Sequence, residues 1–147
     1  KYSITTDMKN PIIIEVNKEI KSERDLELSI LANLSYFFKQ LGEGFTFVDH
    51  QYKIIENNYN YYIDILLFNI ELNCYVAVEI KLRSLKKEDK SQIEFYMRLV
   101  DKYLKKAHHN KTIGLIITKE SDKFIVNFVK SENIIPLSYK LKQQEAI

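Results

Sequence analysis

The chain has 147 residues, 46% of them hydrophobic and 29% charged, which is an ordinary composition for one soluble globular domain. A single cysteine, Cys74, excludes an intramolecular disulfide and a cysteine-based zinc site, and no apolar run approaches the roughly 20 residues that cross a bilayer. The net charge is +2, and together these features favour a cytoplasmic protein with no membrane partner.

The first 21 residues are poorly patterned, and we interpret them as an N-terminal arm or the remnant of a linker. Within them, Pro11–Val16 is a short apolar run that indicates either a strand or a tethering arm. Because the chain begins with Lys1 rather than Met, we expect an N-terminal domain to be missing from it. Residues 22–147 are predicted to form one domain.

The first predicted helix starts at Ser22, an N-cap that is followed by acidic residues in the first turn. Apolar residues then recur at helical spacing for about five turns, as far as Gly42. Two short strands, Phe45–Val48 and Gln51–Glu56, are predicted next. A turn cluster at residues 56–60 separates them from two apolar strands that occupy residues 61–82 and turn near residues 69–73.

Ser84–Ala107 is the second long predicted helix, and it carries most of a basic segment. Between Lys81 and Lys111 there are ten Lys or Arg against four acids, a net charge of +6, which leaves −4 for the remainder. Such a segment indicates either a solvated helix face, which charge alone favours, or a contact with a polyanion.

The C-terminal part of the chain is predicted to hold two strands and a last short extended piece. Thr112–Thr118 is apolar throughout, which is typical of a central parallel strand. Phe124–Val129 is predicted to be a strand, and residues 133–139 contain a last short extended piece. The predicted order is therefore α-β-β-β-β-α-β-β, an α/β fold with a mixed sheet flanked by two long helices.

Three charged residues, Asp64, Glu79 and Lys81, interrupt the apolar strands of the central hairpin. Burying an ion costs several kcal/mol unless it is paired or bound to a metal, so each needs a partner. Side-chain alternation places Glu79 and Lys81 on one face of their strand. A turn centred between Ile70 and Glu71 sets Asp64 diagonal to Glu79 on that face, and a shift by one residue sets the two directly opposite.

Two converging carboxylates favour a bound cation, because they repel each other unless protons or a metal intervene. A hard ion such as Mg²⁺ is usually held by one or two carboxylates with waters and phosphate oxygens. Beside it, Lys81 is suited to orienting the attacking water or to stabilising charge on a scissile phosphate. The alternative is a buried ion pair between Lys81 and Asp64 or Glu79, which leaves one carboxylate over.

The arrangement of Asp64 and, fifteen residues later, Glu79-x-Lys81 resembles the PD-(D/E)XK nuclease signature. The surrounding segments resemble the YhcG-like family of bacterial proteins, over roughly Ser22 to Leu141: DLELSILANLSYFFKQLGEGFTFVDHQYKI, YYIDILLFNIELNCYVAVEIKL, QIEFYMRLVDKY and TIGLIIT. This resemblance implies a restriction-endonuclease-like core that hydrolyses phosphodiester bonds in DNA, with RNA as the other candidate, using Mg²⁺ or Mn²⁺. The resemblance further implies an N-terminal domain that serves as the DNA-targeting part of the family, and we expect it to be missing from this chain.

The resemblance also implies roles for single residues. Asp64 and Glu79 are the implied metal ligands, and Lys81 is the implied catalytic lysine. Glu27, on the first helix, is implied to be a further acid beside the metal, although its position alone is more typical of a first-turn acid that favours the helix dipole. Gln92, on the second helix, is implied to contact water or substrate, and otherwise is a surface residue at the edge of the buried stripe.

Substrate contacts are expected from Gln51, His50, Lys86, Lys87 and Lys90. Gln51 matches a position that the family keeps polar, although a strand glutamine is more often solvated. His50 stands where the family has an arginine suited to phosphate contact, and three residues stand where it has Gly, Pro and Gly: Arg83, Lys87 and Ser91. These departures concern substrate contact and loop shape rather than the metal ligands.

Two other functions remain open from the sequence. One is a nuclease-fold module with weak or no catalysis, which binds nucleic acid or assembles with protein. The other is a structural domain in which the three charges form an ion pair. A homodimer is consistent with double-strand cleavage by single-site domains. His108 and His109 are adjacent and are interpreted as a solvated loop pair.

Overall fold

The computed structural model describes residues 11–144 of the chain, and these form a six-stranded sheet with helices packed on it. The strands are β1 (Ile12–Val16), β2 (Phe45–Glu56), β3 (Tyr59–Asn69), β4 (Cys74–Ser84), β5 (Ile113–Lys119) and β6 (Ile134–Gln143). The helices are α1 (Glu23–Ala32), α2 (Leu34–Leu41), α3 (Glu88–Tyr103) and α4 (Lys123–Val129). Within the described range, no helix is long and apolar enough to cross a membrane.

The sheet is mixed, with the strand order β1-β6-β5-β4-β3-β2. Strands β2, β3 and β4 form an antiparallel meander, whereas β4, β5, β6 and β1 run parallel. The predicted central parallel strand is confirmed, because β5 lies between β4 and β6 and its residues from Gly114 to Ile117 are buried. The α/β class with a mixed sheet is confirmed as well.

Strand β1 lies at one edge of the sheet, paired with β6. The apolar run at Pro11–Val16 is therefore a strand of the sheet and not a tethering arm. The first ten residues of the predicted arm and residues 145–147 lie outside the described residues. The domain boundary at residue 22 stays a prediction.

Two hydrophobic clusters hold the helices against the sheet. One joins α1 and α2 to β1 and to the face of β4 that carries Val76, Val78 and Ile80. The other joins α3 and α4 to the face that carries Ala77 and to Ile116 of β5. Because side chains of β4 alternate between these clusters, Glu79 and Lys81 lie on the opposite face from Val78 and Ile80, as the strand periodicity predicts.

The prediction of one continuous helix from Ser22 to Gly42 is wrong. The helix breaks at Asn33, whose backbone leaves the helical region and whose side-chain oxygen accepts a hydrogen bond from the N–H of Tyr36 at 3.2 Å. Asparagine offers the backbone such a local alternative to a helical bond, and here it ends α1 and caps α2. The apolar spacing continues across the break, which is why periodicity alone predicts a single helix.

Residues 45–56 form one strand, not the predicted pair. The strand passes through Asp49 and His50 without turning, and a bulge between Phe47 and Asp49 shifts its register against β3. A bulge adds one residue to one strand and re-aims the side chains beyond it. Just past the bulge, Gln51 has a left-handed backbone with φ 47°, which is uncommon for a residue other than glycine.

Residues 124–129 form helix α4 instead of the predicted strand. Asp122 caps the helix by accepting a hydrogen bond from the N–H of Ile125 at 3.2 Å. Val126 and Val129 are buried while Phe124 and Phe128 are exposed, a three-to-four-residue period rather than alternation. A parallel pair such as β5 and β6 needs a crossover connection, and α4 lies in that connection.

Helix α3 packs so closely on β5 that Gly114 has no room for a side chain. A Cβ at this position would lie 2.6 Å from Cγ1 of Ile93 and 2.8 Å from Sδ of Met97. We therefore expect Gly114→Ala to lower the free energy of unfolding by about 1–3 kcal/mol, measured by urea denaturation. Ser35→Ala, on the exposed face of α2, is the control and should change it by less than about 0.5 kcal/mol. Equal midpoints for Gly114→Ala and the unaltered chain would contradict this packing.

Candidate active site

The candidate site forms where β3 and β4 separate. Their main-chain pairing runs from Asn69↔Cys74 to Ile65↔Val78 and stops there. This register is the second of the two predicted from the sequence, and its extension sets Asp64 opposite Glu79. Side chains two residues apart on a regular strand lie on the same face of the sheet. Ile63, however, packs in the cluster of α3 and Ile65 in the cluster of α1 and α2, so the regular alternation of β3 is interrupted at Asp64.

Side-chain bonds replace the main-chain pairing at this point. The N–H of Asp64 donates to Oε2 of Glu79 at 3.2 Å, and the N–H of Ile80 donates to Oδ2 of Asp64 at 2.8 Å. Each carboxylate is thus held by the main chain of the other strand. The arrangement fixes both side chains next to each other.

Both carboxylates hold their protons more tightly than usual. Burial raises the pKa of Asp64 to about 6, the hydrogen bond from Ile80 opposes this, and the charge of Glu27 adds to it. Burial, followed by the charge of Asp64, raises the pKa of Glu79 well above its ordinary value, and only 5% of Glu79 is exposed. The site therefore concentrates negative charge that the protein compensates only in part.

Glu27 reaches the site from α1 and is 2% exposed. The amide Nε2 of Gln51 donates to Oε1 of Glu27 at 2.6 Å and to Oδ1 of Asp64 at 3.2 Å, which joins the two acids through one side chain. Glu27 lies beyond the first turn of α1, where the acids are Glu23 and Asp25. Its position is therefore explained by contact with the site and not by the helix dipole.

Two further basic residues surround Glu27. His50 Nδ1 lies 3.3 Å from Oε2 of Glu27, and Nη1 of Arg24 donates to the same oxygen at 3.2 Å. His50 thus contacts an acid of the site. Arg24 was missed by sequence reasoning, although its spacing of three residues from Glu27 on a helix is a usable signal. Glu23 was missed too; its Oε2 accepts from the N–H of Leu82 at 3.2 Å and ties α1 to β4.

Lys81 is partly buried on the same face of β4 as Glu79. Its positive charge acts on both Asp64 and Glu79 and favours their ionised forms. Among the ion pairs of residues 11–144, none joins Lys81 to either carboxylate. The ion-pair alternative is therefore not the arrangement that the structure has.

Helix α3 contributes Gln92 and Tyr96 to the surroundings of the site. Gln92 lies one turn before Tyr96 on the helix, and its side chain acts to lower the pKa of the Tyr96 hydroxyl. Burial, followed by the charges of Glu79 and Asp64, raises the pKa of Tyr96 to about 12, so this face of α3 lies in the field of the two carboxylates. Tyr96 is a further residue that the sequence analysis did not assign to the site.

The predicted substrate lysines lie on the segment that leaves β4 and on the first turn of α3. Lys86 and Lys87 are exposed, whereas Lys90 donates from Nζ to the main-chain oxygen of Phe128 at 3.1 Å. Arg83 and Asp89 fix this segment by a two-pronged ion pair with N–O distances of 2.9 and 2.8 Å. The pair explains how the loop keeps its shape with an arginine at the position where a glycine was expected.

The carboxylates of the site are the side chains that a metal ion would bind. The described residues contain no group of three or more His, Cys, Asp or Glu that could hold a metal ion. Mg²⁺ and similar hard ions need only one or two carboxylates besides water and phosphate oxygens, which Asp64 and Glu79 offer. Their raised pKa values show that charge here lacks compensation. The residues present therefore fit a hard divalent cation.

A mixed sheet that carries Asp64 on one strand and Glu79-x-Lys81 on the next, flanked by helices on both faces, defines a PD-(D/E)XK nuclease domain. The family model described as the YhcG PDDEXK nuclease domain matches residues 5–145, and the chain belongs to this family. A relative from Escherichia coli (strain K12), "Putative nuclease YhcG", is 28% identical over 116 residues, or 77% of this chain. The chain spans 31% of the length of that relative.

Solved structures of similar fold include a repair endonuclease from Pyrococcus abyssi, with 15% identity and a TM-score of 0.57 over 87% of this chain and 50% of that chain. EndoMS in a dsDNA complex is similar as well, with 14% identity and a TM-score of 0.56 over 88% of this chain and 49% of that chain. At these identities the likeness is one of fold. It confirms the restriction-endonuclease-like core that the sequence resemblance implies.

Proposed function

We propose that the chain is a nuclease domain that uses Mg²⁺ or Mn²⁺ to hydrolyse phosphodiester bonds in DNA. The observation that carries this proposal is the reciprocal bonding of Asp64 and Glu79 across the separated strands, with Lys81 on the same face of β4. Two adjacent carboxylates with raised pKa values are a costly arrangement for stability alone. A divalent cation relieves that cost.

Asp64 and Glu79 are the residues that hold the cation in this proposal. When bound, the cation supplies Lewis-acid activation at the phosphate. Gln51 fixes the orientation of Asp64 by its bond to Oδ1 and links it to Glu27, which adds negative charge to the cation site. In this proposal Gln92 and His50 are assigned to the rim of the site, as residues that contact water or substrate.

Lys81 acts on the phosphate. The residue is partly buried, so we expect its charge to be screened less than that of a fully exposed lysine. It stabilises the charge that accumulates on the phosphate oxygens during attack, and it holds the attacking water by hydrogen bonding. The three lysines of the segment after β4 bind the backbone of the nucleic acid: Lys86, Lys87 and Lys90.

DNA is supported as substrate by charge. The segment from Lys81 to Lys111 has a net charge of +6 and follows directly on the site strand. The EndoMS structure of similar fold contains double-stranded DNA. RNA is the other candidate, and parallel cleavage assays on duplex DNA and duplex RNA of one sequence distinguish the two.

Cation binding tests the proposal directly, by calorimetric titration with Mn²⁺. We expect one-site binding that is lost in both Asp64→Ala and Glu79→Ala, because each removes a ligand. Glu132→Ala, which removes an exposed carboxylate after α4, is the matched control and should bind like the unaltered chain. Equal binding in all four proteins would place the cation elsewhere and contradict the proposal.

A second candidate is a module that binds nucleic acid without cutting it. It is favoured by His50, which stands where a phosphate-binding arginine was expected and contacts Glu27 instead. In that case DNA binding falls steeply with salt and is unchanged in Asp64→Ala. Cleavage that requires Lys81 excludes it.

A further inference from the structure

Helix α4 carries two phenylalanines whose side chains lie outside the hydrophobic core. Phe124 is 75% exposed and Phe128 is 50% exposed, and they are four residues apart on one face of the helix. Among the residues that the structure describes, Phe124 is the most exposed large apolar side chain. The opposite face of α4 buries Val126 and Val129 and holds the helix against the sheet. The face that carries Phe124 and Phe128 remains exposed to solvent.

This face adjoins the lysine segment that leaves the site strand. Nζ of Lys90 lies 5.0 Å from the ring centre of Phe128 and donates to the main-chain oxygen of the same residue. The turn before α4 is fixed to the end of β4, because Oγ of Ser84 donates to the oxygen of Glu120 at 2.7 Å and the N–H of Leu85 donates to Oγ of Ser121 at 2.8 Å. The phenylalanines are thus held at a set position beside the segment that carries Lys86 and Lys87.

The chemistry of the face indicates its partner. Residues 123–129 contain no acid, Asp122 is used as the cap of the helix, and the ammonium group of Lys90 lies over the ring of Phe128. An aromatic face beside an ammonium group matches an unpaired nucleotide, whose base stacks on the ring and whose phosphate binds the cation. One helical turn separates the two rings, roughly 5–6 Å along the axis, which allows neighbouring bases to stack on them.

A protein partner fits the face less well. Two partly exposed phenylalanine side chains offer roughly 250 Å² of apolar surface, at about 200 Å² for a whole ring side chain. A stable protein interface buries about 800 Å² on each partner. A single strand of nucleic acid needs no such area, because each stacked base and each phosphate contact adds affinity separately.

From these observations we infer that Phe124 and Phe128 form a stacking surface for unpaired nucleotides, next to the lysine segment that leads to the site. The inference rests on the proposed function and extends it to the substrate class: a strand that is unpaired beside the cleaved position. Duplex DNA contacts the lysines and the site but has no exposed base faces for α4, apart from its ends.

The test measures the affinity of the full chain for two labelled oligonucleotides in EDTA, a 20-nucleotide single strand and a small closed circular duplex that has neither ends nor unpaired loops. We expect Phe124→Ala and Phe128→Ala each to weaken single-strand binding by about tenfold, and to leave duplex binding within about twofold. The control is Ile70→Ala, which removes an apolar side chain of 64% exposure from the β3–β4 turn, at the other end of β4. It should change neither affinity.

Several outcomes overturn the inference. It fails if neither substitution changes single-strand binding, or if both oligonucleotides lose affinity equally. It also fails if the substitutions convert a dimer into a monomer on sedimentation while strand binding is unchanged, because the face is then a contact between copies. Cleavage that depends on Lys81 with normal single-strand binding by the phenylalanine variants would overturn this inference alone. Phenylalanine-dependent binding without any cleavage would overturn only the proposed function.

Discussion

Substitution of Lys81 by alanine is expected to slow metal-dependent DNA cleavage by about a hundredfold or more. Lys81 lies on the same face of β4 as Glu79, and no ion pair of the described residues occupies its ammonium group with Asp64 or Glu79. A positive group that is already positioned where negative charge develops on the phosphate typically raises the rate of the reaction by a factor of about 100 to 1,000. The measurement is the rate of nicking of supercoiled plasmid with Mn²⁺.

The matched control for this substitution is Lys39→Ala, on the exposed face of α2. It removes the same charge from the protein and should cleave at the normal rate. Circular dichroism should show that Lys81→Ala keeps its fold, because the side chain is only partly buried and holds no ion pair of the structure. Nicking at the normal rate by Lys81→Ala, or none by the unaltered chain, would exclude the role proposed for this lysine.

Asp64→Asn is expected to abolish cation binding and to stabilise the fold at neutral pH. The pKa of Asp64 is raised from 3.8 to about 6, so the folded state binds this proton more tightly than the unfolded state does. Its contribution to stability is therefore complete below about pH 4 and is lost as the pH rises through about 6. Above that range the ionised carboxylate costs up to about 3 kcal/mol, which asparagine avoids.

Urea denaturation in EDTA at pH 4 and pH 8 measures this effect. Asp64→Asn should raise the free energy of unfolding by about 1–3 kcal/mol at pH 8 and change it little at pH 4. The control is Asp25→Asn, since hydrogen bonds from Lys21 and Lys18 lower the pKa of that partly buried carboxylate and its removal should not stabilise the fold. Mg²⁺ should stabilise the unaltered chain at pH 8 but not Asp64→Asn. A loss of stability at pH 8 would refute the charge argument.

The sequence predicts the centre of the site better than its rim. Strand alternation is enough to place Glu79 and Lys81 together, since it depends only on local geometry. The position of Asp64 depends on the register of the hairpin, and two registers fit the turn residues equally well. Gln51 has a left-handed backbone just past a bulge, and its side-chain amide points between Glu27 and Asp64. No local sequence pattern predicts this bulge.

The errors in the element order have local causes as well. Residues 124–129 are rich in β-branched and aromatic types, which favours a strand, but the cap at Asp122 was a signal for a helix. Asn33 was a comparable signal for the break between α1 and α2.

The ion pair of Arg83 with Asp89 could not be predicted in the same way. It depends on the conformation of the loop between β4 and α3, and the sequence pattern does not determine that conformation.

The hydrogen bonds between the amides and carboxylates of β3 and β4 make two amide groups sensitive to the charge of the site. The amide proton of Ile80 points at one oxygen of Asp64, and the amide proton of Asp64 points at one oxygen of Glu79. Protonation of either carboxylate, or its capture by a cation, alters the field at an amide of the neighbouring strand. Two resonances in an amide spectrum therefore report the occupancy of the site in solution, without labelled substrate and without turnover.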